Sequence, residues 1–303
     1  MSMVPPKNAE LPKQASLRGR FAPSPTGDLH FGSLVTALGS WLRARSQGGA
    51  WIVRMEDIDP MRTIPGSGER IVAALNAFGL ESDEAIVWQS DRLDLYESAF
   101  KALKDRAAIY PCHCSRRDLV QFDGIHPSEC VGRRKTRTPA WRLCTHDHPL
   151  EFNDAVYGPI RQSLRGEVGD FVLRRADGVF AYQLAVVVDD AEQHIDEVVR
   201  GADLLDSTPR QIYLQTQLDL PIPNYLHLPL ALDASGHKLS KQDRARPVDP
   251  SDPMPALHTA LTFLGQSIPP TNRVDTLLTE ASERFDSEAI PRSAHKHAAM
   301  RKD

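Results

Sequence analysis

The chain has 303 residues, 41% hydrophobic and 25% charged, enough to bury a large core and to divide into more than one folding unit. A net charge of −4 argues against a general polyanion coat, although a local basic patch can still hold phosphates on an acidic protein. No apolar run approaches the roughly 18 residues of a membrane span, and the opening MSMVPPKNAELPKQA carries Pro and Lys where a secretory leader needs an apolar stretch. Residues 1–16 are expected to be a loose tail on a soluble, cytoplasmic protein.

In chain order, the pattern predicts a strand at Leu17–Phe21, a Pro/Gly loop, a helix over Leu34–Arg45 and a strand at Ala50–Met55. A helix from about Glu69 to Phe78, ended by Gly79, follows. That alternation favours a parallel α/β sheet, with residues 17–110 as its first half. From Cys112 to about Leu164 the chain breaks into short pieces rich in His, Pro and Arg, as an insertion (111–168) between two halves of a sheet would. Regular structure returns at Asp170–Arg174 and Val179–Tyr182 and runs through the apolar Leu184–Val188. A strand is expected at Glu197–Arg200 and a helix at Thr208–Leu218, with Pro209 in its first turn. Residues 169–245 make the second half; 246–303 are expected to be mainly helical, broken at Pro269-Pro270.

Three groups of residues carry chemistry. The loop Arg20-Phe21-Ala22-Pro23-Ser24-Pro25-Thr26-Gly27-Asp28-Leu29-His30-Phe31-Gly32-Ser33 leaves a strand and enters a helix, where free N–H groups and a partial positive charge suit phosphate. Far downstream, Lys238-Leu239-Ser240-Lys241-Gln242 follows turn residues; two lysines around a small hydroxyl suit a leaving pyrophosphate, or simply a solvated loop. Of four cysteines, too few for a disulfide scaffold, three fall at 112, 114 and 130. With His126 they make three thiolates and an imidazole, a donor set for a structural zinc that braces an insertion with little core of its own. Reduced loop cysteines are the alternative, and His113, Cys144 and His146 are other possible ligands.

The first two groups together resemble the HIGH and KMSKS signatures of class I aminoacyl-tRNA synthetases. RFAPSPTGDLHFGS, RMEDIDPMR (54–62) and DGVFAYQLAVVVDD…VVRGADLLDSTPRQIYL (177–214) are similar to the glutamyl branch, over roughly residues 17–245. Ser33 stands where HIGH has its second His, a small residue as in the glutamyl enzymes. The resemblance implies a Rossmann-like catalytic domain. It also implies a glutamate pocket of Arg20, Ser24, Glu56, Tyr182 and Arg200, with Glu56 on the ammonium and the two arginines on the carboxylates. His30, Gly32, Lys238, Ser240 and Lys241 would bind ATP, with His30 and Lys241 acting in catalysis together with Mg²⁺. The α-carboxylate of glutamate would attack the α-phosphate, and an RNA hydroxyl would then take the activated glutamyl group. Taken singly, Glu56 with Asp57 and Asp59 also reads as a polar strand end, Arg200 as a partner of Asp203 or Asp206, and Tyr182 as a core aromatic.

The Cys-x-Cys pair and short C-terminus narrow the resemblance to the truncated paralogues, the glutamyl-Q tRNA(Asp) synthetases, which carry a later Tyr-x-x-x-Cys where this chain has His126-Pro127-Ser128-Glu129-Cys130. About sixty residues after the lysine loop are too few for an anticodon-binding portion. The implied activity is tRNA-independent activation of L-glutamate and transfer to queuosine in the anticodon loop of tRNA(Asp), by a monomer. Arg116, Arg117, Arg133, Arg134, Lys135 and Arg137 are candidate RNA contacts. Alternatives are a minimal synthetase charging the 3′ end, a catalytically idle tRNA-binding paralogue, and an adenylyltransferase for a small metabolite.

Overall fold

The computed structural model describes residues 17–132, 136–232 and 247–292, and the backbone of 295–296. The first half alternates as expected: β1 (Arg18–Phe21), α1 (Phe31–Ser46), β2 (Ala50–Met55), α2 (Ser67–Ala77), β3 (Val87–Trp88) and α3 (Leu93–Asp105). Helix α1 starts three residues before the predicted Leu34 because His30 caps it, its Nδ1 accepting the Ser33 N–H. The next segment gives β4 (Ile109–Cys112), β5 (Ala140–Leu143), β6 (Leu150–Asp154), β7 (Gly158–Gln162) and β8 (Phe171–Arg174). Then come α4 (Tyr182–Glu192), β9 (Glu197–Gly201), α5 (Thr208–Leu218), β10 (Asn224–Leu228) and β11 (Ala231–Leu232). The described chain ends with α6 (Pro253–Phe263), α7 (Val274–Glu283) and β12 (His295–Lys296), and Pro269-Pro270 separates the last two helices as predicted.

The main sheet runs β3-β2-β1-β9-β10-β6-β7, parallel except for the β6–β7 hairpin. The predicted insertion is therefore not wholly separate: residues 150–162 return to extend the sheet through the pair Tyr225↔Asp154. The remainder forms an antiparallel sheet, β4-β5-β8. Strand order reverses between β1 and β9, and in such sheets ligands bind beyond the carboxyl ends at that reversal.

Apolar residues of α1, α2, α6 and α7, such as Leu38, Leu75, Leu261 and Leu277, fill one face of the sheet. On the other, α3, α4 and α5 pack with the small sheet around Tyr96, Phe100, Leu184 and Tyr213. Polar ties fix α1 on the sheet: Arg43 grips Glu197 of β9 through Nε and Nη2 at 2.7 and 3.1 Å, and the Trp51 indole of β2 donates to Ser40 Oγ at 2.9 Å. Between α1 and β2, Gly49 passes so close to Leu17 that a Cβ would lie 1.9 Å from its carbonyl oxygen. Gly49→Ala is expected to destabilise by about 2–4 kcal/mol in urea denaturation, because backbone rather than a flexible side chain must move; a loss below about 0.5 kcal/mol would contradict this contact.

Candidate functional site

Three strands end at the reversal, and each delivers a charged residue. Arg20 leaves β1 with Nε 3.1 Å from Asp190 Oδ1 and Nη2 3.4 Å from Oδ2, while Nη1 donates to the Val199 carbonyl. From β2, fully buried Arg54 donates to Asp190 Oδ1 at 2.8 Å and to Gln193 Oε1 at 2.7 Å, and its Nη2 lies 3.6 Å from Glu56 Oε1. Asp189, also buried, accepts from Gln89, Arg92 and Tyr96 at 2.7, 2.7 and 2.8 Å. The polar strand end suggested by sequence is thus a desolvated network of cations and carboxylates.

The network splits its carboxylates. Burial raises the Asp190 pKa, yet Arg20 and Arg54, both touching it, hold it below the usual range. Burial pushes Glu56 up to about 7, against the pull of Arg54 and Arg20, because neither arginine is committed to it. For Arg54, burial opposes the charge, but Asp190, Asp189 and Glu56 together raise its pKa.

Arg200, at the end of β9, sits among neutral acceptors instead. It donates from Nε to His227 Nε2 at 3.1 Å, and from Nη1 to Gln211 Oε1 at 2.7 Å and Tyr182 OH at 3.3 Å. Nη2 donates to Thr208 Oγ1 at 2.8 Å and the Leu204 carbonyl at 3.4 Å. No carboxylate among the described residues lies within ion-pair distance, so pairing with Asp203 or Asp206 is excluded. Tyr182 opens α4, and the charges acting on its phenol are those of Arg200, Glu56, Arg20 and Asp190, although burial is the main cause of its raised pKa. Arg20, Glu56, Tyr182 and Arg200 therefore share one site.

The first of the two nucleotide-like motifs, the loop Arg20–Ser33, runs from β1 into the start of α1. Ser24 is exposed on the loop, which is tied down where Glu56 N–H donates to Pro23 O and where Ser67 Oγ donates to Gly27 O at 2.6 Å. Helix α1 has no acidic residue in its first turn, which contains Gly32 and Ser33, and carries Arg43 and Arg45 in its last, leaving its positive end suited to an anion. Lys238, Ser240 and Lys241 lie outside the described residues, as do Arg133, Arg134 and Lys135. Past the lysine loop, however, Pro247 forms a bridge with His30, and Val248 N–H donates to Leu29 O, so that chain segment returns to the His30 loop.

In the metal cluster, Cys112 ends β4. Its Sγ lies 3.0 Å from His126 Nε2, and Cys114 Sγ lies 3.8 Å from Cys130 Sγ. A tetrahedral zinc with Zn–S near 2.3 Å separates sulfurs by about 3.8 Å, so the donors fit. His126 Nδ1 is 3.1 Å from Tyr110 OH, which donates to the buried Asp170 carboxylate at 2.7 Å. That chain puts the imidazole proton on Nδ1 and leaves Nε2 to face the thiolates. Gly169, at φ +70, pairs with His126, and any Cβ there would meet the His126 backbone at 2.3 Å. The Cys114 thiol is pushed up to about 12 by burial and by Cys112, whereas N–H groups of His113 and Gly132 help hold Cys130 below its ordinary value despite burial. His126 is thus the imidazole of this cluster; Cys144 is exposed, and the His146 ring packs on Tyr213.

Residues 16–138 and 132–267 match the family of tRNA synthetases class I (E and Q), catalytic domain. A glutamyl-Q tRNA(Asp) synthetase of Xanthomonas campestris pv. campestris is 53% identical over 289 residues, covering 94% of this chain and 97% of its own. One from Shewanella amazonensis is 45% identical over 276 residues, covering 90% and 94%. The chain belongs to the glutamyl-Q tRNA(Asp) synthetase family. Its fold matches a solved glutamate tRNA ligase from Elizabethkingia meningosepticum, in complex with its amino acid, with TM-score 0.78 and 27% identity over 94% of this chain and 67% of the ligase.

The residue pattern alone does not single out Arg54, Gln193, His227, Asp189 or Asp190. The signal for the aspartates was present: two charges inside the apolar run of α4 must be compensated by something.

Two outcomes are expected. Zinc content should fall to background in Cys112→Ser, and His126→Ala should weaken zinc at least about tenfold in chelator competition, with Tyr110→Phe weakening it about tenfold by loss of the Nδ1 acceptor. Full zinc affinity in His126→Ala would remove His126 from the ligand set. For Glu56, a folded pKa above the unfolded value means that its contribution to stability is present below about pH 4.5 and lost as pH rises towards 7. Glu56→Gln should therefore be more stable than the parent at pH 8 by on the order of 1–3 kcal/mol in thermal denaturation. No gain would mean that the carboxylate is already compensated.

Proposed function

We propose that the protein condenses L-glutamate with ATP to glutamyl-adenylate and pyrophosphate, without tRNA, and passes the glutamyl group to queuosine in the anticodon loop of tRNA(Asp). The observation that carries the substrate assignment is the buried Arg200, its guanidinium held by neutral groups that include the Tyr182 hydroxyl, with a carboxyl of raised pKa, Glu56, acting on the same phenol. The site thus offers a cation with no counter-ion among the described residues and an acid able to ionise when an ammonium arrives. The names of relatives 45–53% identical over most of their length support the RNA acceptor.

In this reading Glu56 holds the α-ammonium, Arg200 takes the side-chain carboxylate, and Tyr182 lines the gap between them. Asp190 and Val199 O use one N–H on each terminal nitrogen of Arg20, and the second on each serves the α-carboxylate. Glutamine is rejected because a neutral amide leaves Arg200 desolvated and uncompensated. His30 and the N–H groups of α1 bind phosphates, and Lys238, Ser240 and Lys241 neutralise the departing pyrophosphate, with Mg²⁺. Cys112, Cys114, His126 and Cys130 would hold a zinc whose part is structural, bracing the loop that leaves β4.

Labelled glutamate should appear on queuosine-containing tRNA(Asp), at the anticodon by nuclease mapping, and not on queuosine-free tRNA(Asp) or tRNA(Glu). Label on the terminal ribose of tRNA(Glu) would overturn the acceptor assignment in favour of a minimal synthetase, to which the solved ligase's likeness points. Because binding needs ionised Glu56, kcat/KM for glutamate in pyrophosphate exchange should fall about tenfold per pH unit below pH 7 and level off above it. Glu56→Gln should abolish that limb and lower the plateau by about 100-fold or more; an unchanged limb would assign the titration elsewhere.

A further inference from the structure

Behind Arg200 lies a buried pair that the pocket assignment leaves unused. His227 of β10 and Asp154, the last residue of β6, are both essentially inaccessible, and Asp154 Oδ2 lies 2.6 Å from His227 Nδ1. Backbone N–H groups of Val156 and Tyr157 donate to Asp154 Oδ1 at 3.0 and 2.9 Å, and that of His227 donates to Oδ2 at 3.1 Å. Four donors converge on one carboxylate, so Asp154 is an ionised acceptor and the imidazole proton facing it is on Nδ1.

The other ring nitrogen is thereby committed. His227 Nε2 must accept, and it faces Arg200 Nε–H at 3.1 Å and Thr208 Oγ1 at 3.2 Å. The Tyr225 ring flanks both side chains, stacked on His227 at 6.3 Å and under the Arg200 guanidinium at 5.5 Å. Three short contacts, to His227, Gln211 and Thr208, fix the fork. The two long ones, Tyr182 OH at 3.3 Å on Nη1 and Leu204 O at 3.4 Å on Nη2, occupy the positions a carboxylate would take.

We propose that His227, held by Asp154 as the tautomer protonated on Nδ1, is a positioning residue that orients Arg200 for the side-chain carboxylate of the amino-acid substrate. The neutral ring keeps the negative charge of Asp154 one residue away. Arg200 is compensated at a distance, none of its five N–H groups is taken by a carboxylate of the described residues, and the two in long contacts are the ones a substrate carboxylate would take over. An aspartate at the end of the fork would hold those two N–H groups more tightly than a phenol and a carbonyl do and would cancel more of the charge. The inference rests on the assignment of Arg200 to a substrate carboxylate.

The test compares Asp154→Asn, His227→Gln, His227→Leu and Arg200→Gln in the full chain by glutamate-dependent pyrophosphate exchange. ¹⁵N spectra of the imidazoles are recorded alongside, with His227 assigned by its loss in His227→Gln. The side-chain amide introduced by Asp154→Asn can donate to Nδ1, which moves the ring proton to Nε2 and aims it at Arg200. Asp154→Asn should shift the His227 nitrogens to that tautomer and raise KM for glutamate about tenfold or more, with kcat and KM for ATP changed less than about twofold. The His227→Gln variant places an amide oxygen near the Nε2 position and should retain more glutamate affinity than His227→Leu. A parental tautomer or parental glutamate KM in Asp154→Asn, while Arg200→Gln loses glutamate, would overturn the proposal. Equal losses for glutamate and ATP would also overturn it, as the mark of a merely structural role. Unchanged glutamate KM in Arg200→Gln would instead remove the pocket assignment on which it rests. If His227→Leu does not fold, Asp154→Asn and His227→Gln decide between the same outcomes.

Discussion

Asp190 lies between Arg20 and Arg54 in a place water does not reach, and much of the site's construction follows from that single carboxylate. Each guanidinium comes from a different strand, so their shared partner on α4 ties β1 and β2 to the helix packed over the sheet. Breaking a buried pair from one side leaves an uncompensated charge, at a cost of about 3–5 kcal/mol, so the three groups hold their geometry together. Arg54 is further fixed by Gln193, the residue just past the end of that helix, and lies near Asp189, which Gln89, Arg92 and Tyr96 anchor to α3 and the turn before it. With Asp190 satisfied twice, Glu56 is left as the carboxyl whose charge is not prepaid. Its raised pKa follows from how the arginines are spent, not from burial alone.

The metal cluster answers a different constraint. The described chain between β4 and β5 has little apolar material of its own to bury, with Leu119 and His126 among its few buried side chains. A zinc joining both ends of that loop would replace a missing core with four bonds. The Tyr110–Asp170 relay carries this brace into β4 and β8, since Asp170 also accepts from Thr145 N–H and hydroxyl just beyond β5.

Legibility in sequence follows the kind of signal each part carries. Strands bearing Arg20, Glu56 and Arg200 are short apolar runs closed by turn residues, and a motif's spacing locates residues at their ends whatever the rest of the fold does. Strands β6 and β7 are harder to see because Leu-Glu-Phe-Asn-Asp alternates as a half-buried edge strand would, inside a stretch whose composition reads as irregular. Their return to the sheet is a tertiary event with no local signature. Helix α3 is amphipathic, but its apolar residues sit among acidic and basic neighbours, which blurs its start. His227 is the least legible of all: within the strand NYLHL a histidine reads as an ordinary polar interruption, and only the arrival of Asp154 from a strand 73 residues away gives it a partner.

Arg20 and Arg200 show why residue type alone does not assign a role. Both are buried arginines at strand ends on the same side of one sheet, and both were expected to meet a substrate carboxylate. One is gripped by a protein carboxylate through two nitrogens; the other is surrounded by an imidazole, an amide, two hydroxyls and a carbonyl. A guanidinium in the first setting has much of its field cancelled and can offer an anion only the N–H groups that Asp190 and the Val199 carbonyl leave. In the second, its shape is fixed while its charge is only partly offset, through His227, by Asp154. Desolvated positive charge held in that way is attracted most strongly to an anion that fits between Tyr182 and the Leu204 carbonyl, and far less to a neutral isostere. On this argument the proposed discrimination between glutamate and glutamine would come less from the arginine than from the absence, among the described residues, of a carboxylate paired with it.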